Sequence, residues 1–173
     1  MSVAVISLEK IENSYLNLTV RRHINARLGG RLKAFVSGAA ALDPNIGYFF
    51  LALNVRILQG YGQTEASPVI AANPPKKIKI ETVGKLLVGV EAKLTKLGEI
   101  CIRGDLVMKG YWNDPVATKK KLRDGWLLTG DIGTFHPDGY ISLTGRKKDI
   151  IINSGGDNIS PIKIETVLEA HSD

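Results

Sequence analysis

The sequence predicts an α/β fold in three parts. These are part of a parallel α/β subdomain over residues 1–77, a small β-barrel-like subdomain over 78–147, and the hinge and start of a small α+β C-terminal domain over 148–173. Three observations lead to this prediction. Apolar residues recur at helical spacing in the first third, short alternating runs follow the Pro74-Pro75 break, and a Gly-rich loop with a capped helix occupies the last part.

The first part begins with a predicted helix over residues 8–28, where apolar residues recur mostly every three or four positions. Strand–helix–strand units build parallel sheets, and ligands gather at the carboxyl ends of such strands. One unit of this kind follows the helix: a buried strand over 32–37, a helix capped by Asp43-Pro44 and ending near Asn54, and a second strand over 55–58.

The middle part is predicted to be rich in β-strands, over residues 83–88, 91–94, 99–103, 126–129 and 140–143. Asp124-Gly125 and Asp138-Gly139 are typical hairpin turns, and Asp114-Pro115 caps a helix ending near Leu122. These features indicate a small barrel or sandwich. The last part is predicted as a strand over 149–152, a Gly-rich loop over 154–156 and a helix capped by Ser160-Pro161.

Composition excludes several classes of protein. The chain has 173 residues, 44% of them hydrophobic and 23% charged, which is typical of a globular protein rather than a disordered, collagenous or coiled one. The longest apolar stretch, residues 46–55, is too short to span a bilayer, and the first residues lack the pattern of a secretory signal. A cytoplasmic location is therefore expected. The single cysteine, Cys101, is expected to be an inert core residue.

The net charge of +6 suits an anionic partner, which would be a nucleotide phosphate, a nucleic acid or a membrane surface. The densest basic runs, residues 119–121 and 146–148, are short, and no nucleic-acid recognition signature is present. We therefore predict no nucleic-acid partner, while peripheral contact with a membrane stays open.

A Gly-rich string over residues 59–65 follows the second predicted strand, where a ligand loop is expected. Its glycines allow close approach of the backbone, and Tyr61 offers a flat face for a base. Thr64 offers a hydroxyl for a phosphate oxygen, and Glu65 offers a hard oxygen ligand for Mg²⁺. The alternative is an ordinary turn with a capping threonine.

Two further strings carry groups suited to a nucleotide. Asp131 ends the string 126–131, and its two oxygens could accept both hydroxyls of a ribose; a turn-capping aspartate is the alternative. Arg146 follows a glycine in the string 144–149 and could serve a ribose or a phosphate, although most such arginines are surface residues.

Together with the strings 37–42 and 154–159, these motifs resemble the adenylate-forming superfamily, most closely the bacterial long-chain fatty acyl-CoA synthetases, over about residues 28–171. The resemblance implies a long-chain fatty acid–CoA ligase that uses ATP, Mg²⁺ and CoA. In that family a carboxylate and ATP form an acyl-adenylate and pyrophosphate, and the CoA thiol then displaces AMP.

The resemblance also implies residue roles. Thr64 contacts the α-phosphate and Glu65 holds Mg²⁺, so these two would be catalytic. Asp131 binds the ribose hydroxyls, Arg146 lies by the ribose, and Lys148 falls at the hinge of the C-terminal domain. Gly155 and Gly156 border the channel for the pantetheine of CoA. The implied adenine-side residues are Gly38, Ala39, Gln59, Gly60 and Tyr61, and Gly62 is implied as a further nucleotide-binding residue.

The sequence departs from the family pattern in several places. Ala39 and Ala41 stand where the family usually has Gly and Pro, and neither the upstream phosphate loop nor the C-terminal lysine has a counterpart. We therefore expect this chain to be inactive by itself and to need a further polypeptide that supplies the missing N-terminal part. The alternatives are a non-catalytic module that binds AMP or an acyl-adenylate, a relic of a split gene, and a basic protein that binds nucleic acid or a membrane surface.

Overall fold

The computed structural model describes residues 15–38, 40, 42–149, 151–152 and 158–159. Helix α1, Tyr15–Arg27, forms the described part of the predicted first helix; residues 8–14 lie outside the described residues. Within the described ranges, no helix is long and apolar enough to cross a membrane.

The first sheet contains strands β1 to β4 in that order, and it begins with a strand–helix–strand unit, as predicted. The prediction of a buried first strand over 32–37 is wrong: β1 covers only Phe35–Ser37, and Phe35 and Val36 are exposed, because β1 is the edge strand of the described sheet. Strands β1 and β2 are parallel, with Ser37 opposite Gln59, and the other two pairings are antiparallel, so the sheet is mixed. Asp43 caps α2 by accepting a hydrogen bond from the Asn45 N–H at 2.7 Å, as predicted. The elements are β1 Phe35–Ser37, α2 Pro44–Ala52, β2 Ile57–Gly62, β3 Val69–Ala72 and β4 Lys85–Leu86.

The second predicted strand, over residues 55–58, is wrong in its boundaries. Strand β2 runs on through Gly62, so the first half of the Gly-rich string is strand rather than loop. The cause is β3, which was not predicted from the sequence and which pairs with Gly60, Tyr61 and Gly62 of β2. The predicted strand over 83–88 is likewise too long, because only β4 within it pairs in a ladder.

The second sheet is antiparallel and forms the described part of the predicted barrel-like subdomain. Strand β8 is central: β6 pairs along one edge, and β7 and β9 pair with successive halves of the other. Its long reach, beyond the predicted 126–129, comes from these partners. The elements are β5 Glu91–Leu94, β6 Glu99–Arg103, α3 Pro115–Lys121, β7 Leu122–Arg123, β8 Trp126–Phe135 and β9 Ile141–Arg146.

Local signals explain the turns of this sheet. Asp114 caps α3 by accepting from the Ala117 N–H at 2.8 Å. Asp124 and Gly125 have φ of 50° and 76°, the two left-handed positions of the tight turn between β7 and β8. The chain continues through a short turn, Lys147–Asp149, to β10, Ile151–Ile152, and β11, Asn158–Ile159, which pair with each other. The predicted helix after Ser160 lies outside the described residues.

One apolar core joins the two sheets. Its fully buried side chains come from β2, β3, the turn between them, and strands β6, β8 and β9, and the described part of the chain is thereby held together across the Pro74-Pro75 break. Cys101 is buried in β6 with its pKa raised by burial, which fits the expected inert thiol. The core members are Tyr61, Ala66, Ile70, Ala71, Ile100, Ile102, Leu127 and Ile141.

Candidate functional site

A groove of about 900 Å³ lies where three of the predicted strings meet, and we call it the central groove. Residues 62–65, 128–131 and 146–148 line it, so the β2 end, the middle of β8 and the segment after β9 converge there. Six cationic side chains and three carboxylates line the groove, which favours an anionic ligand. The charged residues are Lys120, Lys121, Arg123, Arg146, Lys147 and Lys148 with Glu65, Glu99 and Asp131.

The turn that carries Thr64 and Glu65 is fixed by close backbone contacts. A Cβ at Gly62 would lie 1.7 Å from the Pro68 carbonyl oxygen, so only glycine fits there. Residues Thr64–Ala66 form one short helical turn, and the Met108 N–H donates to the Glu65 carbonyl at 2.9 Å. The turn therefore holds Thr64 exposed at the wall of the central groove.

Glu65 is an ionised, partly exposed carboxylate. The Tyr111 hydroxyl donates to its Oε1 at 2.7 Å, and this bond lowers the pKa of Glu65 below its ordinary 4.5 and raises that of Tyr111 to about 12. No cluster of three or more Asp, Glu, His or Cys that could hold a metal occurs in the described ranges. Glu65 fits Mg²⁺ as a single protein ligand, because Mg²⁺ is commonly held by one or two carboxylates with phosphates and water.

Asp131 is held between a tyrosine and an arginine. The Tyr61 hydroxyl donates to its Oδ2 at 2.7 Å, while the Arg146 Nε lies 3.6 Å from Oδ1. Asp131 and Arg146 are register partners in β8 and β9, which explains how two distant strings meet. Burial raises the pKa of Tyr61 well above its ordinary value, so this hydroxyl remains a donor.

Four of the predicted adenine-side residues lie at or just beyond the ends of the parallel pair and outside the lining of the central groove, which Gly62 does line: Gly38, Gln59, Gly60 and Tyr61. Gly38 follows β1, and a Cβ there would lie 3.6 Å from the Gly60 oxygen, so the two backbones are close neighbours. Gln59 is buried and donates its side-chain amide to the Ile80 carbonyl, so its amide is used by the fold. Tyr61 is 5% exposed, and its role as a platform for a base stays a prediction.

The remaining predicted positions divide in two. Lys148 lines the central groove in the short turn after β9. Ala39 and the CoA-side Gly155 and Gly156 lie outside the described residues.

Two groove residues were missed by the sequence analysis. Gln63 lines the central groove, and its side-chain Nε2 is buried without a hydrogen-bond partner among the described residues. Glu99 is 3% exposed and accepts from the Gly130 N–H and from Lys147. Alternation along β6 places Glu99 on the face opposite the core residues Ile100 and Ile102, so nothing in the sequence marks the burial of Glu99 or of Gln63.

A mixed sheet that begins with a parallel pair, together with a groove lined by six cationic side chains, is an arrangement typical of domains that bind anionic ligands such as nucleotides. The model of the AMP-binding enzyme family matches residues 8–112. The long-chain-fatty-acid–CoA ligase FadD15 of Mycobacterium bovis is 38% identical over 164 residues, covering 95% of this chain and 27% of the relative. The putative fatty-acid–CoA ligase fadD11 of Mycobacterium tuberculosis is 41% identical over 149 residues, covering 85% and 26%.

The chain is also similar to solved structures. The O-succinylbenzoate coenzyme A synthetase MenE of Bacillus subtilis, in complex with ATP and magnesium ion, superposes with a TM-score of 0.73 at 28% identity, covering 87% of this chain and 35% of that one. ATP-bound MatB of Rhodopseudomonas palustris gives a TM-score of 0.73 at 33% identity, covering 80% and 30%. The chain therefore belongs to the AMP-binding enzyme family. It spans about a quarter of the length of the curated relatives named above.

Proposed function

We propose that the central groove binds the nucleotide of an acyl-adenylate-forming reaction, and that the protein is a long-chain fatty acid–CoA ligase. The observation that carries this proposal is the convergence of Thr64, Glu65 and the Asp131–Arg146 pair on one cationic groove. The similarity to relatives named long-chain-fatty-acid–CoA ligases supports the choice of acid and of CoA as acceptor.

The proposed chemistry follows from the groups in place. Asp131 keeps lone pairs free on two oxygens whose positions Tyr61 and Arg146 fix, and such a carboxylate suits vicinal ribose hydroxyls. The exposed Thr64 hydroxyl would donate to an α-phosphate oxygen, and the groove cations would offset charge that develops during attack at phosphorus. Mg²⁺ held by Glu65 would supply further neutralisation of phosphate charge.

The proposal assigns the other steps by the same family membership. Lys148, in the turn that ends at the groove, is proposed as the hinge residue, and Gly155 and Gly156 as the CoA contacts. Gly38, Ala39 and Gly60 are proposed to border the adenine. The complete reaction, from fatty acid, ATP and CoA to acyl-CoA, AMP and pyrophosphate, is proposed for the protein and not for the central groove by itself.

Calorimetric titration of the 173-residue chain with AMP, with and without Mg²⁺, tests the nucleotide site. We expect saturable binding that weakens at least about tenfold in Asp131→Asn, since charged hydrogen bonds contribute about 1.5–3 kcal/mol. Asp124→Asn is the matched control, because Asp124 lies in a hairpin turn at a left-handed φ that asparagine tolerates. Absence of binding by a folded chain would overturn the proposal.

Product analysis then separates ligase activity from binding. The chain is incubated with ATP, Mg²⁺, palmitate and CoA, and mass spectrometry detects palmitoyl-adenylate and palmitoyl-CoA. Either product supports the ligase assignment for these residues. AMP binding without either product would leave nucleotide binding as the function of this chain.

A further inference from the structure

Glu99 is a buried charge beneath the central groove. It is the first residue of β6, it is 3% exposed, and among the described residues it is the one buried Asp, Glu, Lys or Arg. A carboxylate in such a place destabilises the fold unless charge and hydrogen bonds compensate it. The hydrogen bonds of Glu99 therefore indicate which segments of the fold its carboxylate stabilises.

Each carboxylate oxygen of Glu99 accepts a hydrogen bond, and the two donors lie on different segments that line the central groove. Oε1 accepts from the Gly130 N–H at 3.1 Å, and Oε2 accepts from the Lys147 Nζ at 2.8 Å. Gly130 directly precedes Asp131 in β8, and Lys147 directly follows Arg146 at the end of β9. One side chain thus ties together the two backbone segments that carry the Asp131–Arg146 pair.

The position of Glu99 indicates a role beyond stabilising the folded protein. A buried ion pair contributes little net stability compared with well-packed apolar residues of the same volume, because desolvation offsets the Coulomb attraction. What the pair does impose is a fixed geometry. Gly130 has a φ of 82° within β8, where the register between β6 and β8 shifts, so it lies in a bulge of the strand whose geometry a hydrogen bond from outside β8 can fix.

We propose that Glu99 is a positioning residue of the nucleotide site, whose carboxylate braces the bulge of β8 at Gly130 against Lys147 so that Asp131 and Arg146 face the central groove together. The proposal rests on the proposed nucleotide binding. Glu99 touches no nucleotide itself and acts through Asp131 and Arg146.

Variants of Lys147 give the sharpest test, because its side chain is 48% exposed while its partner Glu99 is buried. Lys147→Met leaves the Glu99 carboxylate without its cation and should also lower the free energy of unfolding, so circular dichroism first shows that each variant is folded at the assay temperature. Lys147 lines the central groove itself, so hydrogen exchange is needed to separate the brace from direct loss of a groove cation.

We expect Lys147→Met to weaken AMP binding about tenfold, the size typical of coupled neighbours, and Lys147→Arg to restore binding to within about twofold. Lys96→Met is the matched control, because Lys96 lies in an exposed turn outside the groove lining. Calorimetry with AMP measures all three.

A second readout does not need a nucleotide. Amide hydrogen exchange at Gly130 and Asp131 should become faster in Lys147→Met than in wild type and return toward wild type in Lys147→Arg. Glu99→Gln keeps an acceptor for Gly130 but loses the charge, and combining it with Lys147→Met should add little further loss of AMP affinity.

The outcomes are distinguishable. If wild type binds AMP but Lys147→Met changes neither the AMP affinity nor exchange at Gly130, the brace is overturned while the nucleotide site stands. If wild type does not bind AMP, the proposed function fails, and hydrogen exchange alone still decides whether the brace holds the bulge at Gly130. If Glu99→Gln does not fold, the Lys147 series decides the question.

Discussion

Tyrosine hydroxyls position both carboxylates proposed to bind the ligand. Tyr111 donates to Glu65 and Tyr61 donates to Asp131, each at 2.7 Å. The pKa of each tyrosine is raised, by the bond to Glu65 in the first case and by burial in the second, so both remain donors at neutral pH. Each carboxylate is thereby oriented with lone pairs left for a ligand.

The Tyr111–Glu65 bond predicts an acid-side pH dependence. The pKa of Glu65 in the fold lies below its ordinary 4.5, so Glu65 stabilises the fold fully above that unfolded value and loses this contribution as pH falls through the folded value. In Tyr111→Phe the pKa of Glu65 in the folded protein should rise toward its ordinary value. The decrease in the free energy of unfolding that protonation of Glu65 causes at acid pH should therefore become smaller. Carboxyl-carbon NMR titration and urea unfolding over about pH 3–6 measure both effects.

Tyr48→Phe is the matched control for that prediction. Tyr48 donates to Glu81 at 3.1 Å on an exposed surface, and neither residue lines the central groove. Its loss should leave the Glu65 titration unchanged. A Glu65 pKa in Tyr111→Phe that equals the wild-type value would show that Tyr111 does not set it.

Gln63 predicts opposite effects on stability and binding. Its Nε2 is buried without a partner among the residues that the structure describes, so Gln63→Leu should raise the free energy of unfolding by about 1 kcal/mol in the absence of ligand. If the amide donates to the nucleotide, the same change should weaken AMP binding about 2- to 10-fold. Thermal unfolding and calorimetry measure the two quantities.

Gln59→Leu is the comparison for Gln63→Leu. Gln59 is also buried, but its amide donates to the Ile80 carbonyl, so leucine there should lower stability by leaving that carbonyl unpaired. Equal loss of stability in the two variants would contradict the distinction between them.

At the scale of elements, the β2–β3 connection determines the shape of the groove wall. Strand β3 returns directly alongside β2, and the register shifts between Tyr61 and Gly62, where the backbone approaches Pro68 most closely. Ser67 completes the turn with a φ of 53°. The glycine is therefore required by contact between two backbones, irrespective of any ligand.

Gly62→Ala should lower the free energy of unfolding by about 3 kcal/mol, because a Cβ cannot occupy a position 1.7 Å from the Pro68 oxygen without displacement of β3. Gly38→Ala is the control, since its Cβ would meet the Gly60 oxygen at 3.6 Å, an ordinary contact, and should change stability by less than about 0.5 kcal/mol. Urea unfolding compares them. Wild-type stability in Gly62→Ala would show that the hairpin can relax.

At the scale of the whole molecule, the apolar surface is unevenly distributed. The core between the sheets is well buried, whereas Phe35 and Phe49 are exposed around Phe50, with ring centroids 6.4 and 5.6 Å from it. Among the described strands, β1 pairs only with β2, so one edge of β1 has no ladder partner there. An exposed aromatic cluster beside an open strand edge promotes association.

We therefore expect the 173-residue chain to self-associate in a concentration-dependent way. Phe49→Lys should reduce the association, because it places a charge in the cluster of Phe35, Phe49 and Phe50. Phe135→Lys, at a partly exposed phenylalanine in β8, is the control and should leave association unchanged. Light scattering measures the mass; a monomeric wild-type chain at all concentrations would contradict the expectation.

The sequence by itself determined the features that depend on neighbours along the chain. Aspartate before proline is typical of a helix N-cap, and this pattern predicted the caps at Asp43 and Asp114. Asp-Gly is typical of a tight hairpin turn, and it predicted the turn at Asp124-Gly125. Strands β5 and β6 agree with their predicted bounds because alternation of apolar residues is a short-range signal. The five ordered strings, in turn, identified the family.

Tertiary structure alone decided which of these residues meet. The extension of β2 through Gly62 depends on pairing with β3, and the pairing of Asp131 with Arg146 depends on the register of β8 and β9. The hydrogen bonds of Glu99 depend on Gly130 in β8 and on Lys147 after β9. Burial of the Gln63 amide and use of the Gln59 amide by the fold have the same origin. The physical reason is that register, burial and charge pairing are set by contacts between segments that are far apart along the chain, which no local pattern encodes.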